Sequence, residues 1–128
     1  MLYRLPREAE WEYACRAAGT SQADCSWDYY VHSPTNTLSP QQANFKDSAL
    51  ERTSPVGSYE PNALGIYDMH GNVWEWCEDW YDASQKARVL RGGSWSVDSA
   101  YCRSAYRISY TPDYRYDYIG LRLVLSSR

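Results

Sequence analysis

The chain has 128 residues, which is enough for one domain with a single hydrophobic core. Its formal net charge of -3 argues against a nucleic-acid partner, because a duplex-binding protein normally carries a clustered basic surface. No apolar run approaches the length that crosses a bilayer, and the first residues lack the apolar core of a signal peptide, so we expect no membrane insertion by this chain. The compartment stays open, including surface display as part of a longer protein.

The clearest helix is predicted from Pro6 to Ala18. Pro6 suits a first helical position, acidic residues in the first turn favour the positive end of the helix dipole, and Gly19 can end the helix in a left-handed conformation. Four residues recur at helical spacing and should face the core: Trp11, Ala14, Cys15 and Ala18.

The rest of the chain predicts strands separated by long loops. Residues 20 to 61 are rich in Ser, Thr, Asn, Asp and Pro, which indicates an irregular segment packed by its own aromatic residues, Trp27, Tyr29, Tyr30 and Phe45. Strands are predicted from Val73 onward, over residues 89–95 with a glycine distortion, and over residues 119–125. A small antiparallel sheet with one prominent helix and much irregular loop is an α+β fold.

The cysteines leave two alternatives open. Cys15, Cys25, Cys77 and Cys102 are even in number, but they are not dense and lack the paired spacing of metal ligands. One disulfide and four buried thiols are both compatible with this pattern.

Residues 96 to 118 have the composition of a binding surface. Tyr supplies broad contact area at small rotamer cost, and Ser, Thr and Asp supply adaptable hydrogen bonds. Six of the thirteen tyrosines lie between Tyr101 and Tyr118. The alternative is ordinary loop residues on a tyrosine-rich protein. The predicted ligand-binding residues are Ser96, Val97, Asp98, Ser99, Tyr101, Tyr106, Ile108, Ser109, Tyr110, Thr111, Tyr114, Tyr116, Asp117 and Tyr118.

Four ordered blocks resemble the formylglycine-generating-enzyme, or sulfatase-modifying-factor, family. They cover residues 5–16, 62–76, 91–95 and 120–122. The resemblance implies a C-type-lectin-like fold for residues 1–128 as a single domain. Family domains usually carry a further region before the first block, so which strand pairs with the C-terminal strand stays open.

The oxidase chemistry of that family is not expected here. Members that oxidise cysteine to formylglycine hold copper with two cysteines after the Gly-Gly-Ser block. Cys102 matches the second of these positions, but the first falls on Val97, which offers no ligand atom to a soft metal. The sulfoxide-synthase relatives use a His-rich iron motif, whereas this chain has only His32 and His70, the latter interpreted as a turn residue. We therefore expect no catalytic residue and no catalytic cofactor.

Variable proteins of diversity-generating retroelements, a second branch with this fold, resemble the chain more fully. The shared blocks lie at residues 91–95, 102–105, 112–115 and 119–123. In such systems randomised adenines turn Asn codons into codons that cannot encode Lys, Glu, Gln, Met or Trp, and none of these five occurs from Ser96 to Ile119. The resemblance divides the domain into a scaffold (residues 1–95), a variable region (96–118) and a closing strand (119–125).

This second resemblance implies a receptor-like protein without catalytic activity. Its partner would be a protein or cell-surface ligand, met by exposed tyrosines. The alternatives are an oxidase relative and a sensor or regulatory module with a fixed partner. The tyrosines would be supported from below by four arginines, Arg103, Arg107, Arg115 and Arg122.

Calcium is a separate hypothesis, implied by the enzyme branch. There an Asn/Asp-x-x-Gly-x-x-x-Glu block binds calcium, and the matching positions here are Asp68, Gly71, Val73 and Glu75. Two carboxylates and two carbonyls are oxygen ligands that suit this ion. The alternative is a turn in which Asp68 caps backbone amides and Glu75 meets an arginine.

Overall fold

The computed structural model describes residues 1–127, and these form an α+β architecture as predicted. The helix α1 spans Glu8–Cys15, and 3-10 turns occupy Lys46–Ser48 and Ser99–Cys102. Within residues 1–127 no helix is long and apolar enough to cross a membrane. The strands are β1 (Leu2–Arg4), β2 (Tyr29–Tyr30), β3 (Pro34–Thr35), β4 (Trp74–Trp80), β5 (Arg88–Arg91), β6 (Arg107–Tyr110), β7 (Ile119–Gly120) and β8 (Val124–Ser126).

The largest sheet has the strand order β6-β5-β4-β7. Strand β5 is antiparallel to both of its neighbours, β4 and β6, with Trp76 opposite Leu90 and Leu90 opposite Ile108. The sequence predicted an antiparallel sheet. The sheet is mixed instead, because β7 runs parallel to β4 with Trp74 opposite Ile119. A parallel partner needs a long connection, and residues 81–118, which include β5 and β6, supply it.

One face of this sheet packs against α1. Alternation along β4 and β5 turns Cys77 and Val89 toward the helix, where they form a buried cluster with Trp11, Cys15 and Met69. The Trp11 indole Nε1 donates to Glu75 Oε1 on the same face at 2.8 Å. The predicted core positions Trp11 and Cys15 are therefore confirmed.

The helix is shorter than predicted at both ends. Pro6 lies before it, and the Glu10 carboxylate caps its start by accepting from the Arg7 N–H at 2.8 Å. Ala17 and Ala18, with φ of 53° and 69°, make the left-handed turn in place of Gly19. The turn comes early because the preceding side chain, Arg16, is buried against the carbonyls of residues 25 and 27.

The irregular segment after α1 packs on its own aromatics only in part. Tyr29 and Phe45 form a second buried cluster with Ala43 and Cys102, as expected. The prediction for Trp27 is wrong, because its ring is 41% exposed. Its carbonyl accepts from Arg16 and Ser104, which ties down the backbone and leaves the ring outside.

Two strands differ from the prediction at the C-terminal end. The strand β6 was not predicted, and the single strand predicted over residues 119–125 is two strands in different sheets. Strand β8 pairs antiparallel with β1, with Tyr3 opposite Leu125, which answers the question of its partner.

All four cysteines are free thiols. Cys15, Cys77 and Cys102 are buried and Cys25 is half-buried. The structure therefore favours the thiol alternative over a disulfide.

Candidate functional site

Four tyrosines of the predicted ligand surface stack in a row. The ring centroids of Tyr110 and Tyr114 lie 3.9 Å apart, those of Tyr114 and Tyr116 lie 4.4 Å apart, and those of Tyr116 and Tyr118 lie 5.3 Å apart. We call this row the tyrosine ladder. Stacking holds each ring in place and reduces the entropy that a ligand must overcome on binding.

A second aromatic group adjoins the same region of the chain. The rings of Tyr101 and Tyr106 meet edge to face at 5.1 Å, and Tyr106 also leans on Trp74 at 6.4 Å. The indole Nε1 of Trp95 donates to the Asp117 carbonyl at 3.2 Å, tying the loop that carries the ladder back to the glycine-rich turn after β5. Both aromatic groups are thus attached to the central sheet.

Burial distinguishes the predicted ligand residues from only two of the residues interleaved with them. None of the fourteen is buried, and of the interleaved residues Cys102 and Ser104 are buried, whereas the others are exposed or half-buried. Most of the six tyrosines were expected to be solvent-exposed; Tyr101 and Tyr116 are exposed, and the other four are half-buried because the rings cover one another. The role of the fourteen residues in ligand binding stays a prediction.

The structure assigns the predicted supporting arginines to different tasks. Arg103 fits the expectation, since its Nε donates to the Ala100 carbonyl at 2.8 Å and its guanidinium faces the Tyr106 ring. Arg107 instead binds Glu8 of α1 with two hydrogen bonds of 2.8 Å, because it points to the helix side of β6. Arg115 is exposed.

Arg122 belongs to the predicted calcium block rather than to the tyrosines. Its guanidinium donates to both oxygens of Glu75, at 2.7 Å and 2.9 Å, and the Trp11 indole donates to the same carboxylate. Asp68 accepts from the Gly57 N–H at 2.8 Å. This is the turn alternative weighed above.

Calcium does not fit this arrangement. A carboxylate that is neutralised by a bidentate arginine is a poor ligand for a cation, and Gly71 and Val73 could offer only backbone carbonyls. Within residues 1–127 no three His, Cys, Asp or Glu side chains converge in a way that could hold a metal ion. Calcium binding stays a prediction, and the geometry favours the ion pair.

Sequence reasoning missed two buried polar residues that organise the site. Arg91 is 2% exposed and binds Glu8 and Glu12 at 2.8 Å and 2.6 Å, and it also donates to the Ser104 carbonyl. His70 accepts from the Tyr30 N–H through Nε2 at 2.9 Å, and its Nδ1 donates to the Cys102 carbonyl at 2.7 Å. Alternation along β5 could have placed Arg91 on the helix side, but no local signal marks His70.

Burial keeps His70 neutral and lowers its pKa to about 4. Both ring nitrogens are committed to backbone groups, one on each side of the ring. His70 therefore holds two loops together, and neither ring nitrogen is free to act as a base.

Residues 2–127 match the family described as the sulfatase-modifying factor enzyme 1-like domain. The chain belongs to this family. The formylglycine-generating enzyme of Streptomyces coelicolor is 36% identical over 143 residues, which cover 93% of this chain and 45% of that enzyme. The mouse protein named inactive C-alpha-formylglycine-generating enzyme 2 is 35% identical, over 97% of this chain and 43% of its own length. The chain thus spans about half the length of these curated relatives.

The fold of the family is confirmed by solved structures. Treponema denticola variable protein 1 superposes with a TM-score of 0.81 at 36% sequence identity, over 94% of this chain and 46% of that protein. The resemblance to variable proteins thus extends from the sequence blocks to the backbone. The chain has the C-type-lectin-like fold of the formylglycine-generating-enzyme type.

The family's copper chemistry does not fit the residues present. Val97 packs against the buried cluster that contains Cys102, so the position of a second thiolate is filled by hydrocarbon. Burial also raises the pKa of Cys102 to about 12, which disfavours the thiolate that a soft metal needs.

Proposed function

We propose that this chain is a ligand-binding protein without catalytic activity, and that a retroelement diversifies its tyrosine-rich surface. The observation that carries the proposal is that none of the fourteen predicted contact residues is buried, while two residues of the same segment, Cys102 and Ser104, are buried and hold it to the domain. Side chains that are not buried can change while the backbone beneath them stays the same. The structural likeness to Treponema denticola variable protein 1 supports it.

The composition of the surface favours a protein or cell-surface partner. Tyrosine rings offer large contact areas with few rotatable bonds, as in antibody paratopes. Charges in the region are mixed, since Asp98, Asp113 and Asp117 accompany Arg103 and Arg115. A surface of this kind selects a partner by shape and hydrogen bonding more than by net charge.

The encoding locus tests the diversification. We expect a near-copy of the segment for residues 96–118 downstream of the gene, differing only at adenines, with a reverse transcriptase gene beside it. The mismatched codons would then name the contact residues one by one. If no copy exists, diversification is contradicted, and a sensor or regulatory module with a fixed partner becomes the better interpretation.

Copper titration tests the absence of oxidase chemistry. We expect no tight Cu(I) binding by the native chain, because Cys102 has no thiol partner at residue 97. The Val97→Cys variant, which restores the pair, serves as the gain-of-binding comparison, and an active formylglycine-generating enzyme is the positive control. Tight Cu(I) binding by the native chain that Cys102→Ala abolishes would reinstate the oxidase interpretation.

A further inference from the structure

A cavity of about 290 Å³ lies beside the tyrosine ladder but contains none of the fourteen predicted variable residues. Its walls come from the segment before α1, from β4 and β5, and from the loop after β6. The lining residues are Leu5, Trp76, Cys77, Glu78, Arg88 and Pro112. We call it the Trp76 pocket.

The Trp76 pocket is continuous with the ladder through the sheet. Arg88 lies opposite Tyr110 in the pairing of β5 with β6, and Pro112 falls between Tyr110 and Tyr114 in the chain. A ligand that covers Tyr110 therefore lies next to two residues that line the pocket.

The walls of the pocket are held in place before any ligand arrives. The Glu78 N–H donates to the Pro6 carbonyl at 2.8 Å, which fixes the segment carrying Leu5 against β4. Arg88 Nη1 donates to the Glu78 carbonyl at 2.7 Å. A preformed pocket costs little ordering on binding, which is the property of an interface anchor point.

The chemistry of the walls favours one planar aromatic group. Leu5, Trp76 and Pro112 are apolar, and the Arg88 guanidinium lies 3.5 Å from the centre of the Trp80 ring. Arg88 lines the cavity, whereas Trp80 does not. An aromatic ring in the pocket would add a further π surface to this cation and would pack on Trp76.

We propose that the Trp76 pocket is a constant anchor site that receives an aromatic side chain of a protein ligand. The volume is just below the roughly 300–1,000 Å³ of sites for drug-sized molecules and suits a single large side chain. The identity of the occupant as part of a protein rests on the proposed function, whereas the site itself does not. Variable tyrosines would set which partner is bound, and the pocket would supply binding energy shared by every variant.

The test is a titration with N-acetyltryptophan amide, followed through the ¹⁵N–¹H resonances of the Trp76 indole and the Arg88 Nε. We expect a saturable shift at both groups, no shift of the buried Trp11 indole, and no effect of N-acetylglycine amide. A native chain whose Trp76 resonance does not shift saturably at the solubility limit of the probe would overturn the proposal.

Matched variants assign the binding to this pocket. Arg88→Ala should lower the affinity for the probe about threefold to tenfold, as expected for loss of a cation–π contact. Arg115→Ala removes an exposed arginine and should leave this affinity unchanged. Pro112→Ala, in an exposed loop, gives a second weakening variant if Arg88→Ala fails to fold. Equal affinities for all three variants would also overturn the proposal.

The outcome is independent of the diversification test. Tyr116→Ala should leave the probe affinity unchanged, because Tyr116 does not line the pocket. Probe binding without a template copy at the locus would keep the pocket and reject diversification. A template copy without probe binding would do the reverse.

Discussion

At the scale of single residues, His70 connects two segments that are not paired with each other in any sheet. It joins the backbone of Tyr30 to that of Cys102, which lies within residues 96–118. The His70 ring also contacts a buried thiol, since Cys15 Sγ lies 3.5 Å from His70 Nε2. The ring is buried, so its neutral form is part of the fold.

The pH dependence of stability should therefore carry a His70 contribution. The folded pKa of about 4 lies below the ordinary value of 6.5, so the unfolded chain binds more protons between these pH values. Stability should fall as pH falls from about 6.5 to about 4, by up to about 3 kcal/mol from this group. Urea unfolding of the native chain and of the His70→Gln variant, measured across this pH range, tests the contribution. Equal pH slopes in the two proteins would contradict the assignment.

The Glu75–Arg122 pair predicts a second residue-scale effect. Glu75 is buried and Arg122 is 28% exposed, so Glu75→Gln leaves a partly buried cation without its partner. We expect a loss of about 2–3 kcal/mol in the free energy of unfolding. The exposed Glu78, 3.8 Å from Arg4, is the control, and Glu78→Gln should cost less than about 0.5 kcal/mol.

The same pair predicts how the chain responds to calcium. Because Arg122 already neutralises Glu75, added calcium should leave the Tm of the native chain unchanged. A calcium-dependent rise in Tm that Glu75→Gln removes would instead support the calcium hypothesis.

At the scale of elements, the helix and the first two predicted strands were accessible to sequence reasoning because their signals are local. Trp11 and Cys15 recur at helical spacing, and the alternation from Val73 onward marks β4. The strand β6 was not predicted, since residues 107–110 form a strand by pairing with β5 rather than through a strong apolar alternation. The split between β7 and β8 depends on two different distant partners, β4 and β1.

The candidate site shows the same division between local and distant information. The composition of residues 96–118 identified positions that are not buried, but it could not show that the tyrosines cover one another. The arginine partners were predicted less well, because Glu8 lies 99 residues before Arg107. Resemblance to family blocks supplied the fold class that local patterns left open.

The turn after β5 predicts a difference between two glycines. A Cβ at Gly93 would collide with the Cys102 Sγ and lie 2.9 Å from its Cα, whereas a Cβ at Gly65 would meet nothing within 4 Å. Both have positive φ, of 75° and 80°. Gly65→Ala should lower the free energy of unfolding by about 1–2 kcal/mol from backbone strain alone. Gly93→Ala should lower it by about 1–3 kcal/mol more, because its Cβ also overpacks the turn.

Chemical denaturation of the two glycine variants measures this difference. Equal losses of stability would mean that the approach of β5 to the Ser99–Cys102 turn is looser than described.

At the scale of the whole molecule, stability should be concentrated away from the ligand surface. The triple change of Tyr101, Thr111 and Tyr116 to alanine removes only exposed side chains, and we expect a loss below about 2 kcal/mol. The single change Trp11→Ala should cost about 3–5 kcal/mol, because the indole is 1% exposed. Thermal and urea unfolding provide the comparison. A triple variant as unstable as Trp11→Ala would reject a surface free to change.

The parallel pairing of β7 with β4 also limits how this surface can evolve. Arg91 and Gly120 both lie beside Glu75, on opposite sides, so the segment between them, which contains the edge strand β6, begins and ends at two fixed points of the sheet. One residue inserted within β6 would turn every following side chain of that strand to the other face. Variation in this segment should therefore arise by substitution at constant length. Related proteins would then keep the same spacing between the fixed points even where the residues between them differ.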